Sequence, residues 1–140
     1  MTTARDIMHG GEVQCIGEHE TLDAAARMMR DLNVGALPIC GDDDRLRGII
    51  TDRDIVVKCI AEDCDPRSMT ADRLAQGKPV TVDADADIDD VLHVMEENRI
   101  RRLPVVHDRR LVGMISEADL ARNLPDQAVG HFVEVISDSG

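Results

Sequence analysis

Aromatic side chains are almost missing from this chain of 140 residues: it has one phenylalanine, Phe132, and neither tryptophan nor tyrosine. Without aromatics there is no platform on which bases can stack. Basic residues are also scarce, 16 against 28 acidic ones, which leaves a formal net charge of −12. The deficit is even, since residues 1–69 carry 8 basic and 14 acidic side chains and residues 70–140 carry the same numbers. An acidic surface spread over both halves repels phosphate backbones, so no nucleic-acid partner is expected. No apolar run approaches the roughly 20 residues of a membrane-spanning helix. The opening Met1-Thr2-Thr3-Ala4-Arg5-Asp6 has no signal-peptide character, and a cytoplasmic location is expected.

The motifs of common catalysts are absent as well. There is no Gly-rich dinucleotide loop, no P-loop, no His-Glu-x-x-His and no G-x-S-x-G elbow. With no nucleophile–base pair in view, the chain reads as a non-enzyme. Five histidines (His9, His19, His93, His107, His131) are scattered, and His93 with Glu96 and Glu97 one turn away reads as ordinary helix surface. Asp42-Asp43-Asp44 reads as a polar hairpin turn. Asp83, Asp85, Asp87, Asp89 and Asp90 flank a helix start, where negative charge complements the dipole, and their spacing is not that of an EF-hand loop. No metal site is expected. Cys15, Cys40, Cys59 and Cys64 fit no zinc spacing, so reduced thiols are the default in a cytoplasmic setting. Cys15 and Cys40 fall on predicted strands of the same half, which leaves a disulfide between them as the alternative.

What the chain does have is a repeat. Gly48-Ile49-Ile50-Thr51-Asp52-Arg53-Asp54 returns as Gly113-Met114-Ile115-Ser116-Glu117-Ala118-Asp119. In each copy the apolar pair continues a strand and the hydroxyl falls where a helix begins, with an aspartate on the first turn. A hydroxyl, a carboxylate and free N–H groups at a helix start can cradle a ribose and its phosphate. The same spacing also satisfies a capping box, which needs no ligand.

The rest of the chain repeats around these motifs. Thr3–Met8 predicts a short capped helix ended by His9-Gly10-Gly11, and Val13–Ile16 a strand. Thr21 caps a helix whose apolar face is Leu22, Ala25, Ala26, Met29 and Leu32. Leu37-Pro38-Ile39-Cys40 predicts a strand with proline at an edge or entry position, and Leu46–Ile50 another. The helix after Thr51 is expected to turn Ile55, Val56, Cys59 and Ile60 to one side, and Cys64–Ser68 joins the halves. At an offset of 66 residues Asp6 maps to Asp72, Cys15 to Thr81, Leu22 to Ile88 and Pro38 to Pro104; after the turn the offset is 65. The first helix of the second half uses Ile88, Val91, Leu92 and Met95. Repeat one is drawn as residues 1–65, repeat two as 66–124, and 125–140 as a tail in which Val129, Phe132, Val133 and Ile136 predict a packing helix.

Both copies in this order resemble the cystathionine-β-synthase (CBS) domain, and two in tandem resemble the CBS pair, or Bateman module. The resemblance covers about residues 3–123 and is nearest to small stand-alone CBS pairs of the hypoxic-response type. It implies an α/β fold of two βαββα repeats packed sheet to sheet with pseudo-twofold symmetry. It also implies a regulatory role in which inter-repeat clefts hold an adenosine ligand: AMP, ADP, ATP, NAD or S-adenosylmethionine. Carried onto this chain, Asp54 and Asp119 would hold ribose hydroxyls, Thr51 and Ser116 would lie by the phosphate or ribose, and the strands near Cys15 and Thr81 would face the base. An anionic ligand in a −12 protein needs local positive charge, and Arg53, Arg101 and Arg102 are the candidates. Ala118 stands where the first motif has Arg53, so the two clefts are not equivalent. A homodimer and a separate protein effector complete the implied picture. The alternative is a ligand-free dimeric scaffold serving a stress or hypoxia response.

Overall fold

The computed structural model describes residues 2–8, 14–75 and 79–137. Val13 and the predicted helix stop at His9–Gly11 lie outside the described residues. The chain divides into two compact units, one formed by residues 14–79 and the other by residues 1–13 together with 80–140.

The first of these units holds β1 (Ile16–Gly17), α2 (Leu22–Leu32), β2 (Ala36–Cys40), β3 (Leu46–Thr51) and α3 (Asp52–Asp54), which runs on as a π-helical turn, Ile55–Ile60. The other holds α1 (Ala4–Ile7), β4 (Val82–Asp83), α4 (Ile88–Asn98), β5 (Arg102–His107), β6 (Arg110–Ser116), α5 (Glu117–Asn123) and α6 (Asp126–Ser137). Each unit therefore has one three-stranded mixed sheet, β1-β2-β3 or β4-β5-β6, with a parallel outer pair and an antiparallel hairpin. The α/β class and the duplicated βαββα order are those read from the sequence.

Each sheet buries one core. Ile16, Leu22, Leu37, Ile39 and Ile50 fill the first, and Val91, Met95, Leu103, Ile115 and Leu120 the second. Phe132 and Ile136 of α6 join the second core, so the tail is a packing helix, although Val133 stays exposed. On α2 the buried stripe is Leu22, Ala25 and Met29; Ala26 and Leu32 face outward, because a 3.6-residue period places them off the stripe's centre. The proline positions also need correction. Pro38 and Pro104 lie inside the central strands, yet β1 begins to pair only at Ile39 and β4 only at Val105. At each proline the strand is flanked by a single neighbour, which is why a residue without an N–H is tolerated there.

The segments that precede the repeats dock in parallel ways. In one unit Ala4 N–H donates to Ala86 O at 2.8 Å and Arg5 N–H to Ala84 O at 2.9 Å. In the other, Ala71 N–H donates to Glu20 O at 2.8 Å and Asp72 N–H to Glu18 O at 3.0 Å, within the turn Ala71–Arg73. Ala4 and Ala71 are thus equivalent, an offset of 67 rather than 66. The expected match of Asp6 with Asp72 is one residue out. The compact units also divide the chain differently from the repeats: α1 packs with β4–α6, and Ala71–Arg73 packs with β1–β3.

Candidate functional site

β3 and β6 both run extended into a helix start, with Thr51 at φ −116° and Ser116 at φ −118°. That geometry turns each hydroxyl back over the first turn. Asp54 N–H donates to Thr51 Oγ1 at 3.0 Å, and Thr51 N–H donates to Asp54 Oδ2 at 3.0 Å. In the second unit Ser116 N–H donates to Asp119 Oδ2 at 2.8 Å, and Asp119 N–H to Ser116 Oγ at 3.4 Å. Both motifs are closed capping boxes.

The two carboxylates differ in what else they hold. The Asp54 side chain is 22 % exposed, and its Oδ1 faces Lys58 Nζ at 3.1 Å. Asp119 is 2 % exposed and is the one buried charged residue among those described. Its Oδ1 accepts from Arg122 Nη2 at 2.6 Å, and the Ser116 hydroxyl adds a bond to Oδ2 at 3.1 Å. A buried carboxylate needs such partners to stay charged.

Arginine placement follows the sheet register. Arg102 pairs directly with Ser116 across the β5–β6 ladder, whereas the equivalent partner of Thr51 is Ala36. Arg53 is exposed on the first turn of α3, and its N–H donates to Asp52 Oδ1 at 2.8 Å. The first junction therefore has Arg53 on its first turn, and the second has Arg102 in register with Ser116 as well as Arg122 on Asp119. Arg101 is exposed just before β5, and Cys15 and Thr81 are half-buried immediately before β1 and β4. A separate groove of about 420 Å³ is lined by Cys64, Asp65, Ser68, Met69, Thr70 and Arg73, none of them a predicted ligand contact.

The four cysteines are free thiols in the structure. Burial pushes the Cys40 thiol well above its ordinary value, and the neighbouring Cys15 adds to the shift. Burial likewise raises Cys59, with Cys64 beside it. His93 pairs loosely with Glu97 at 3.7 Å, while Glu96 pairs with His131 at 3.1 Å. Asp43 is held below the usual carboxylate range by the Arg45 N–H, with Arg47 contributing, as suits an ordinary turn.

Two features were not legible in the residues. The helix after Thr51 winds as a π-turn, and along it Ile55 and Cys59 are buried while Val56 (58 %) and Ile60 (53 %) are exposed. The predicted four-residue apolar face is two neighbouring stripes, each an i,i+4 pair: Ile55 and Cys59 face the core, and Val56 and Ile60 lie beside them on the exposed side. The structure also brings together Asp83, Asp85 and His107, which are distant in sequence and meet only through the β4–β5 pairing.

The comparisons identify the class. The CBS domain model matches residues 4–60 and 71–126, and the chain belongs to the CBS domain family as a tandem pair. CBS pairs are generally regulatory, non-catalytic modules that commonly bind adenine nucleotides and form oligomers. Hypoxic response protein 1 of Mycobacterium tuberculosis is 57 % identical over 136 residues, 97 % of this chain and 94 % of that one. A crystal structure of hypoxic response protein I with two coordinated zinc ions has 59 % identity and a TM-score of 0.81, covering 89 % of this chain and all of that one. The Bacillus subtilis protein YlbB is 37 % identical over 122 residues, 86 % of this chain and 81 % of that one.

Proposed function

We propose that this chain is a non-catalytic regulatory module that binds an adenosine-containing ligand of the AMP or ATP kind in inter-repeat clefts and signals to a partner protein. One observation carries the reading: two matched strand-to-helix junctions, each with a hydroxyl and a carboxylate on the first helical turn and an arginine at hand. A carboxylate keeps spare lone pairs after capping, and these suit the two hydroxyls of a ribose.

The Thr51–Asp54 junction is the better of the two. Asp54 is partly open, and its contact with Lys58 is a surface ion pair worth about 0–1 kcal/mol, which a ligand can displace. Arg53 supplies charge for phosphate. At Ser116–Asp119 a ligand must first part Asp119 from Arg122, with Arg101 and Arg102 as the available cations. Cys15 and Thr81 would border the base. NAD and S-adenosylmethionine share the adenosine and belong in the same trial. The module acts as a homodimer in a stress response, in keeping with the name of the mycobacterial relative.

Calorimetry with AMP, ATP, NAD and S-adenosylmethionine on the wild type and on Asp54→Ala and Asp119→Ala tests this. We expect binding in the wild type, lost mainly in Asp54→Ala. No heat for any ligand defeats the reading.

A ligand-free dimeric scaffold is the second reading. It is favoured by Val56, Val57 and Ile60, which expose apolar surface on one π-helical turn, and by carboxylates already employed as caps. It requires that nucleotides shift neither the melting temperature nor the sedimentation coefficient.

A further inference from the structure

We propose that Cys59 and Cys64 form a reversible dithiol–disulfide site, in which Cys64 is thiolated by a small-molecule disulfide and Cys59 resolves the adduct. Both residues lie in the unit of residues 14–79. Their spacing fits neither a zinc site nor a C-x-x-C redox pair. What pairs them is the way the helix ends. The π-helical turn Ile55–Ile60 is followed by Asp63 in the left-handed region, at φ 60°. Cys64 N–H donates to Cys59 O at 2.9 Å, and Asp63 N–H donates to Ile60 O at 3.2 Å. These nested bonds around a left-handed residue are the Schellman motif, which brings the side chain just after that residue against the one five positions earlier. Here both of those side chains are thiols. Cys59 Sγ donates to Cys64 O at 3.4 Å. Burial, with the Cys64 thiol beside it, pushes the Cys59 thiol up.

Access separates the two roles. Cys59 is fully buried, whereas Cys64 is half-buried and lines the groove of about 420 Å³ together with Ser68, Thr70 and Arg73. A small disulfide therefore reaches Cys64 and not Cys59. In the first step the Cys64 thiolate attacks one sulfur of R–S–S–R: a Cys64–SR bond forms, the reagent's own S–S bond breaks, and the departing RS⁻ takes up the proton that Cys64 gave up. In the second step Cys59 loses its proton and attacks the Cys64 sulfur. The Cys59–Cys64 bond forms, the Cys64–SR bond breaks, and the second RS⁻ leaves as RSH. Two protein thiols are oxidised and one disulfide is reduced to two thiols.

The ring so closed spans only six residues. A disulfide across so short a loop stabilises less than one across a long loop, so a dithiol reopens it by the same exchange. The bond ties the end of the π-helical turn to the segment that carries the start of α2, where Asp23 N–H donates to Pro66 O at 3.1 Å and Leu22 N–H to Met69 O at 2.9 Å.

The test treats the reduced full chain with oxidised glutathione, quenches with acid and maps the cysteines by mass spectrometry after trypsin. Lys58 and Arg67 bracket both residues, so the bond leaves peptide 59–67 two hydrogens lighter with nothing attached, whereas a Cys15–Cys40 bridge joins two peptides. The expected sequence is glutathione on Cys64, then the lightened peptide, restored by dithiothreitol. Cys59→Ala should stop at the mixed disulfide, and Cys64→Ala should slow addition at Cys59 by about tenfold or more, as for a buried thiol. Cys64 is half-buried, so its variant keeps the fold if Cys59→Ala does not. An unmodified Cys64, a glutathione adduct that persists on wild-type Cys64, or Cys59 in Cys64→Ala reacting as fast as wild-type Cys64 overturns the proposal.

Discussion

Gly113 and Met8 touch so closely that a β-carbon on the glycine would overlap the methionine thioether. The counterpart in the other unit is Gly48, where a β-carbon would lie 2.8 Å from Ala75 Cβ and 3.4 Å from its Cα. Neither contact depends on a left-handed backbone. Both glycines are required by close approach, each to the segment that ends a docked helical turn.

Substitution at the two glycines should differ in cost. Gly48→Ala presses on a methyl and a backbone atom that cannot rotate away, and overpacking of this kind costs about 1–3 kcal/mol. Gly113→Ala presses on a flexible thioether that can change rotamer, so its cost is expected to be smaller. Urea denaturation of both variants measures the difference, and equal midpoints would contradict it.

Ile7 tests the docking of α1 directly. It is buried in the core of β4–β6, alongside Ala4 and Val105. Ile7→Ala is expected to destabilise by about 2–5 kcal/mol, the usual range for a buried isoleucine cut to alanine. Hydrogen exchange should rise at β4 and β5, although they are more than seventy residues away in sequence. Faster exchange at β2 and β3 alone would be the wrong outcome.

The capping carboxylates should separate by burial. Asp119→Ala leaves Ser116 N–H without its acceptor and strips Arg122 of its partner, so a loss of about 1–3 kcal/mol is expected. Asp54→Ala should cost nearer 1 kcal/mol, as for the loss of one capping interaction at a partly exposed helix start. Melting curves without ligand establish these baselines, against which any nucleotide effect is read.

The thiols set the alkaline limit. Cys40 and Cys59 ionise above their ordinary value of 9.0 in the folded chain. Below that value both folded and unfolded chains keep the protons, and the stability is intact. As pH rises past about 9 the unfolded chain ionises first, so stability falls through this window. Serine at both positions should flatten the alkaline fall. Under native conditions at neutral pH, Cys40 and Cys59 should alkylate more slowly than Cys15 and Cys64, as mass spectrometry would show. Oxidation with a diazene, which takes up the two protons and two electrons, should link Cys15 to Cys40 first.

The periodic parts of the fold were readable because their physics is local. Strand and helix order, Leu22-Ala25-Met29 and Val91-Met95 all follow from spacing. Pairing geometry was less accessible. Pro38 suggested an edge, and only the register shows that a central strand can have a locally open side there. Apolar character places Val56 and Ile60 with Ile55 and Cys59, but each sits one residue further round the helix, and only the packing shows that this neighbouring stripe is left exposed. The site was legible as motif, with Thr51–Asp54 and Ser116–Asp119 in matched positions. Its asymmetry was only half visible: Arg53 against Ala118 can be read directly, but the burial of Asp119 and the placement of Arg102 opposite Ser116 come from tertiary contacts.

The docking of α1 onto β4–β6 means that α1 and the segments from β4 to α6 belong to one compact unit, with residues 14–79 inserted between them in sequence. Cutting the gene at the internal repeat boundary would give each fragment its sister's opening turn and withhold its own. A duplication wired in this way keeps its copies in partnership, because neither can drift off as a self-sufficient gene product without first recovering a missing piece.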